Sequence, residues 1–543
     1  MSGEQKSFVK GAAILGLFGL IVKVIGAVFR IPLTNVIGSE GIANYNVAYP
    51  LYALLVVIST AGLPAAISRM VAERVSLGDY RGAHNVFKTA FKVLLIIGIA
   101  SAAILLLVSK AVAASVKIPS AELSLMMIAP ALFFVAILSA YRGYFQGLQI
   151  MLPTALTQVV EQVVKLVAGL YFAFLWVDRG VEWGAAGALL GVSISEVFAL
   201  GIIMIMYRRK KREIVYNMAR TAPAIKHRSR SILSELFVIA VPVTIGSCIM
   251  PIVGFLDTAI ITNVMSSVDY SAFSSLSPTE SFGVLTGTVN PLINMPAVLS
   301  LALCMSLVPA ISEARSQNNS LELSSRSRMG FKLAVLIGLP CAAGMFILAK
   351  PIIMLLFSSG RLTPEELGVG ADMLKTLSVG VLFLTLLQTM TGILQGAGHQ
   401  FIPVINLLIG AVVKVFLSVV LMRVPSLNIN GAAIGTAACY GIAALLNVVA
   451  VIRYTKPGIK PVSGVLMPVV SSAVMGILVY LLHGPLASSL GNTLATLFCI
   501  AAAVLVYVIM LLVTGALDKE DMKYIPGGKI TTSLMNRIGF WEK

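Results

Sequence analysis

Long apolar runs alternate with short polar connections along all 543 residues. Fourteen runs reach the length a helix needs to cross a bilayer, about 20 residues at ~1.5 Å rise each. They cover 8–31, 45–68, 89–109, 122–143, 154–177, 183–206, 234–263, 282–308, 329–352, 371–393, 401–422, 431–452, 463–483 and 492–515. Composition agrees: 58% of residues are hydrophobic and 12% charged, against about 25% charged in soluble proteins. The pattern predicts an all-α integral membrane protein with fourteen transmembrane helices. The first run, long and carrying Lys23 and Arg30, is expected to be a membrane helix and not a cleavable signal. The five cysteines fall singly inside apolar runs and read as small core residues.

The positive charge changes the picture only through its placement. A net +17 invites nucleic acid, but the cations sit between apolar runs and belong to topology and to anionic lipid. Alternate connections hold 29 Lys and Arg on one side and six on the other, which puts both termini and the richer connections, Arg142 among them, in the cytoplasm.

The chain also repeats itself. Gln146-Gly147, Pro153 and Lys165 return as Gln395-Gly396, Pro403 and Lys414, at offsets of 249, 250 and 249. Ala66-Ile67-Ser68 matches Ala310-Ile311-Ser312, and the Gly184 segment matches that at Gly431. Six helices per half make the repeat parallel. The expected organisation is a six-helix lobe over 1–207, a basic cytoplasmic linker over 208–231, a second lobe over 232–455, accessory helices 13 and 14 over 456–517, and a cytoplasmic tail over 518–543.

Candidate chemistry lies in the polar residues left inside the helices. Lys165 and Lys414 fall near the bilayer midplane, beyond snorkelling reach, where a lipid-facing charge costs at least ~2.5–3.5 kcal/mol. They should face an internal cavity. Lys23 and Arg30, seven apart, share a face of helix 1. Lys375 reads as interfacial. Glu161 precedes Lys165 by one turn and is placed to pair with it, and Gln158 and Gln162 extend that polar stripe. Asp257 is the candidate ion- or proton-coupling carboxylate. Glu196, Asn290, Asn294, Gln388 and Asn406 add polarity, and Asn290-Pro291 with Asn294-Met-Pro296 should break helix 8 and free carbonyls. The cavity is cationic and suits an anionic substrate such as a diphosphate headgroup. No phosphate loop, nucleophile elbow or metal-binding cluster is apparent, so the chain reads as no enzyme, with no cofactor beyond a coupling Na+ or H+ or the membrane potential.

Four stretches now carry a resemblance: Leu63-Pro-Ala-Ala-Ile-Ser-Arg-Met-Val-Ala-Glu73, Arg142-Gly-Tyr-Phe-Gln-Gly147, Gln158-Val-Val-Glu-Gln-Val-Val-Lys165 and Val308-Pro-Ala-Ile-Ser-Glu313. Over nearly the whole chain this resembles the stage V sporulation protein B branch of the polysaccharide transporters, in the multidrug/oligosaccharidyl-lipid/polysaccharide exporter superfamily that also holds the MurJ lipid II flippases. The resemblance implies two six-helix lobes in a V, with helices 13 and 14 adding a groove for a lipid tail. It implies a flippase of the bacterial plasma membrane that moves an undecaprenyl-diphosphate-linked sugar, lipid II above all, from inner to outer leaflet by alternating access; the sequence itself is silent on oligomeric state, with a monomer expected. Lys23 matches the family's helix 1 cation. Asn290-Pro291-Leu292 and Val57-Ile58 stand where many relatives carry arginines, leaving Arg30, Lys165 and Lys414 to serve. Sodium in related flippases is held by helices 7, 11 and 12, whose nearest matches here are Asp257 and Asn406. The alternatives are a multidrug or metabolite antiporter of the same superfamily, which predicts an acidic cavity, and a membrane-embedded glycosyltransferase, which predicts a folded external loop.

Overall fold

Helices and short turns account for the residues that the computed structural model describes, 3–60, 62–220, 229–270 and 274–517. In order these are α1 (Gly3–Thr60), α2 (Gly62–Ser76), α3 (Tyr80–Ser115), α4 (Ala121–Gly147), α5 (Leu152–Trp176), α6 (Val181–Arg220), α7 (Ser229–Met265), α8 (Pro278–Val284), α9 (Asn290–Ser316), α10 (Ser320–Ile347), α11 (Ala349–Phe357), α12 (Pro364–Gly396), α13 (Phe401–Met422), α14 (Asn430–Thr455) and α15 (Met467–Val513).

Among the described residues twelve helical segments are long and apolar enough to cross a membrane. Two of them, with 59 and 52 residues, are far too long for one crossing, since ~30 Å of hydrocarbon needs about 20 residues. Among the described residues their backbones leave the helical region at Gly38 (φ 67°, ψ −175°) and at Gly491 (φ 78°, ψ 163°). Only glycine adopts that backbone without strain. The two breaks turn twelve segments into the fourteen crossings that the hydropathy predicts, with turns in place of loops.

Helix 8 does not break at its asparagine–proline pairs. A π-helical turn at Leu285–Val289 joins α8 to α9, and the helix runs on through Pro291 and Pro296. Pro291 has no N–H for the carbonyl of Gly287, four residues back, and the Thr34 hydroxyl donates to that carbonyl at 3.0 Å. Asn294 Nδ2 donates to the Asn290 carbonyl at 2.8 Å. The carbonyl that Pro291 leaves free is thus satisfied by a side chain from α1.

Lipid gives helices no hydrophobic reason to associate, so close approach of small residues decides which ones pack. The sequence repeat is made of such contacts. A Cβ on Gly147 of α4 would stand 2.6 Å from Val71 Cβ and 2.9 Å from the Ser68 carbonyl oxygen of α2. One on Gly396 of α12 would stand 2.7 Å from the Val308 carbonyl oxygen and 2.8 Å from Ile311 of α9. Gly143 and Gly147 therefore lie against the Pro64–Val71 stretch and Gly396 against Val308 and Ile311, while Gly392 lies against Cys304 earlier on α9. Likewise Gly191 abuts Gly169, seating α6 on α5, and Gly431 abuts Leu421 and Met422, seating α14 on α13.

Internal contacts divide the chain into two compact units. The first is Met1–Asp269 with Leu276–Gly287 and Ser359–Leu362; the second is Tyr270–Ser275, Thr288–Ser358 and Thr363–Lys543. The first unit extends past the expected boundary at 232, because α7 packs on α2. A Cβ on Gly62 would meet the Ala240 carbonyl oxygen at 2.0 Å, Ile232, Leu236 and Ala240 enter the core around Ile67, Phe87, Tyr144 and Phe145, and Arg74 pairs with Glu235 at 3.6 Å. In the second unit Leu307, Ile311, Phe331, Met390 and Leu394 form one core. The accessory arm belongs to this unit as well, anchored where the Tyr507 hydroxyl donates to the Leu336 carbonyl at 2.9 Å. The expected linker is largely helical: α6 continues through Arg208–Arg212 to Arg220. Residues 221–228 and the expected tail, 518–543, lie outside the described residues.

Candidate functional site

In the first unit two intramembrane cations, Lys165 and Arg30, meet a face of tyrosines. Tyr45, Tyr49 and Tyr52 recur at helical spacing in the second arm of α1, with Tyr45 and Tyr49 stacked at 5.5 Å and Tyr52 6.0 Å beyond. Lys165 enters from α5, about 20 Å along that helix at ~1.5 Å per residue. Its ammonium is 3.3 Å from the Tyr49 hydroxyl, 4.6 Å from the Tyr49 ring centre and 5.5 Å from that of Phe29. Arg30, from the first arm of α1, lies over Tyr45 at 4.7 Å and donates to Asn46 Oδ1 at 2.9 Å. Lys165 is 8% exposed. A desolvated cation–π contact contributes about 2 kcal/mol and a charge-assisted hydrogen bond ~1.5–3 kcal/mol. Together these offset the cost of holding an ammonium at that depth.

Glu161 does not pair with Lys165. Arg142 of α4 takes it, Nη2 to Oε2 at 3.0 Å, while Arg142 Nε donates to Thr157 Oγ1 at 3.1 Å. The planar guanidinium serves both acceptors at once, which an ammonium on a flexible stem does less well. Arg142 is therefore a partly buried residue inside α4 and not part of a connection. Glu196 of α6 is buried and faces Glu161. Gln158 is half-buried, and Gln162 lies beside Gly26, its Oε1 3.7 Å from where a Cβ would stand there. Lys23 is exposed. Asp257 is half-buried on α7.

In the second unit Lys414 is half-buried on α13. Asn406, on the same helix, donates to Asn447 Oδ1 at 2.8 Å, and Asn447 donates to Thr391 Oγ1 at 3.2 Å, a polar bridge across α13, α14 and α12. Asn290 is half-buried and Asn294 exposed. An apolar cavity of about 630 Å³ lies among α10, α12 and the first arm of α15, lined by Leu339, Phe346, Val379, Leu382, Gly476 and Tyr480. Of the two expected accessory helices, the first (463–483, the first arm of α15) lines it and the second (492–515) does not. Lys375, expected at an interface, lies over the Phe346 ring at 5.0 Å.

The tyrosines, Phe29, Asn46 and Arg142 are the site residues that hydropathy alone passes over. The spacing Tyr45–Tyr49–Tyr52 was the available signal, since it puts three hydroxyls on one helical face.

A family model described as "Polysaccharide biosynthesis protein" matches residues 8–315. The chain belongs to this family. A second model, MatE, matches residues 242–420. Relatives in Bacillus subtilis (strain 168) match over most or nearly all of the chain. The lipid II flippase MurJ is 28% identical over 488 residues, 88% of each chain. Stage V sporulation protein B is 26% identical, covering 96% of this chain and 98% of its own. Among solved structures, MurJ in an inward closed conformation matches with a TM-score of 0.66 at 14% identity, over 92% of this chain and 98% of its own. An inward-facing multidrug-resistance MATE transporter matches at 0.67 and 18% identity, over 81% and 99%. At these identities the two structures establish the fold alone: a multi-pass helical membrane architecture.

Proposed function

We propose that the chain is a flippase that carries an undecaprenyl-diphosphate-linked cell-wall precursor, lipid II in the first place, from the inner to the outer leaflet by alternating access. The observation that carries this reading is Lys165, an ammonium buried at membrane depth and held by the hydroxyl and ring of Tyr49, not by a carboxylate. Such a cation keeps its charge available to an anionic ligand, and a diphosphate matches it. Arg30 and Lys23 are the first unit's other cations assigned to the headgroup, with Gln158 and Gln162 as polar lining; Lys414, Asn290 and Asn294 are the second unit's candidates. The apolar cavity beside helix 13 suits a polyprenyl tail. The lipid II flippase among the relatives supports the same substrate. In this reading both termini are cytoplasmic, the protein works as a monomer in the plasma membrane, no covalent chemistry is performed, and Asp257 and Asn406 are the residues for a coupling cation.

The second reading, a cation-coupled antiporter, draws on the MatE match and on the carboxylates of α5 and α6. Binding of lipid II to the purified protein separates the two. Wild type should bind, and Lys165→Ala should lose roughly tenfold or more, the ~1.5–3 kcal/mol of a charge-assisted hydrogen bond, with Lys23→Ala and Lys414→Ala measured beside it. Thermal melting checks that each variant is folded. Absence of binding in wild type, or indifference to all three lysines, sinks the assignment.

A further inference from the structure

Arg142 has two carboxyls near it and pairs with one. Glu161 takes the guanidinium at 3.0 Å. Glu196 faces Glu161 from α6, is 2% exposed, and its Oε2 is buried without a hydrogen-bond partner. The other charged or titratable groups that face it are Arg142 from α4, Lys165 from α5 and Tyr52 from α1. The first is spent on Glu161 and Thr157, the second on Tyr49. An ionised Glu196 is thus a buried charge beside a like charge, with an oxygen left bare, an arrangement that burial and like-charge repulsion both oppose. Adding one proton removes both penalties.

We propose that Glu196 and Glu161 form a proton-binding site, holding one proton between them beside Arg142. The proton is taken from water and returned to it, with no other bond made or broken. Its release leaves Glu196 as a second carboxylate with Arg142 and Lys165 as the nearest cations. Lys165 lies one turn from Glu161 on α5, so release draws it from Tyr49 and lowers the positive charge offered by the tyrosine face. Proton binding and anion binding are thereby linked through one lysine. The proton site itself goes beyond the flippase reading and does not depend on it.

Infrared spectroscopy of the full chain in lipid nanodiscs tests the site without any substrate. Wild type should show the carbonyl stretch of a protonated carboxylic acid at neutral pH, fading as pH rises, and Glu196→Gln should lack it. Glu213→Gln, which changes an exposed residue paired with Lys210, should retain it. Should Glu196→Gln not fold, wild type treated with dicyclohexylcarbodiimide, which attacks protonated carboxyls in apolar sites, gives the answer by peptide mass spectrometry. The adduct is expected on Glu196 or Glu161, diminishing as pH rises. A band that survives in Glu196→Gln and in Glu161→Gln overturns the proposal. So does failure to find any adduct at either residue over the pH range in which the protein stays folded. Neither readout involves lipid II, so the flippase reading and the proton site stand or fall separately.

Discussion

Lys165 illustrates how a single residue can be legible in kind and opaque in detail. Its depth follows from counting, and depth alone demands an internal partner. That the partner is a tyrosine decides what the lysine can do, because a phenol stabilises an ammonium without neutralising it. Tyr49→Phe keeps the ring and removes the hydroxyl at 3.3 Å. Lipid II binding measured by titration should weaken about fivefold, near the ~1 kcal/mol of one hydrogen bond, with the melting temperature nearly unchanged. The Arg142–Glu161 pair behaves differently. Glu161→Gln and Arg142→Gln should each cost about 1–3 kcal/mol of stability. Because each change strands the other's partner, the double variant should cost clearly less than their sum in a thermal double-mutant cycle.

At the scale of elements, the repeat and the packing are one fact. Glycines recur at the same offset because the same helix pairs meet in both halves, and there the backbone of one helix touches the next. Gly147→Leu and Gly396→Leu should therefore each lower the melting temperature, since the added side chain meets a carbonyl oxygen and a β-branched residue of the facing helix. Gly201 has nothing within 4 Å of its missing Cβ. Gly201→Ala should leave the melt unchanged or raise it slightly, by the ~0.5–1 kcal/mol that alanine gains over glycine in a helix. Unchanged or raised melting temperatures for all three variants in detergent would mean that helix propensity, not close approach, governs these positions.

For the whole molecule, the cavity beside helix 13 ties the accessory arm to the transport reading. Its walls are apolar, and Lys375 sits over one of its wall residues, Phe346. Val379→Trp, a partly exposed position in that wall, should reduce binding of the full polyprenyl substrate. Binding of a water-soluble diphosphate-sugar headgroup should be unaffected, which titration of the two ligands side by side measures. Equal loss of both would place the defect elsewhere.

Fourteen crossings, an internal repeat, an intramembrane lysine in each half and a cationic rather than acidic set of candidates were all determined by the sequence. Each depends on composition or on spacing along one helix, and hydropathy and the ~1.5 Å rise are local quantities. Only the tertiary structure decided that α7 packs with the first unit, that Arg142 and not Lys165 takes Glu161, that Tyr49 and Phe29 face the lysine, and that the helix runs unbroken through Pro291 and Pro296 after a π turn at Leu285–Val289. Those outcomes depend on which helices approach, and in lipid that choice belongs to shape and to the satisfaction of polar groups across helices, which no single stretch of chain contains.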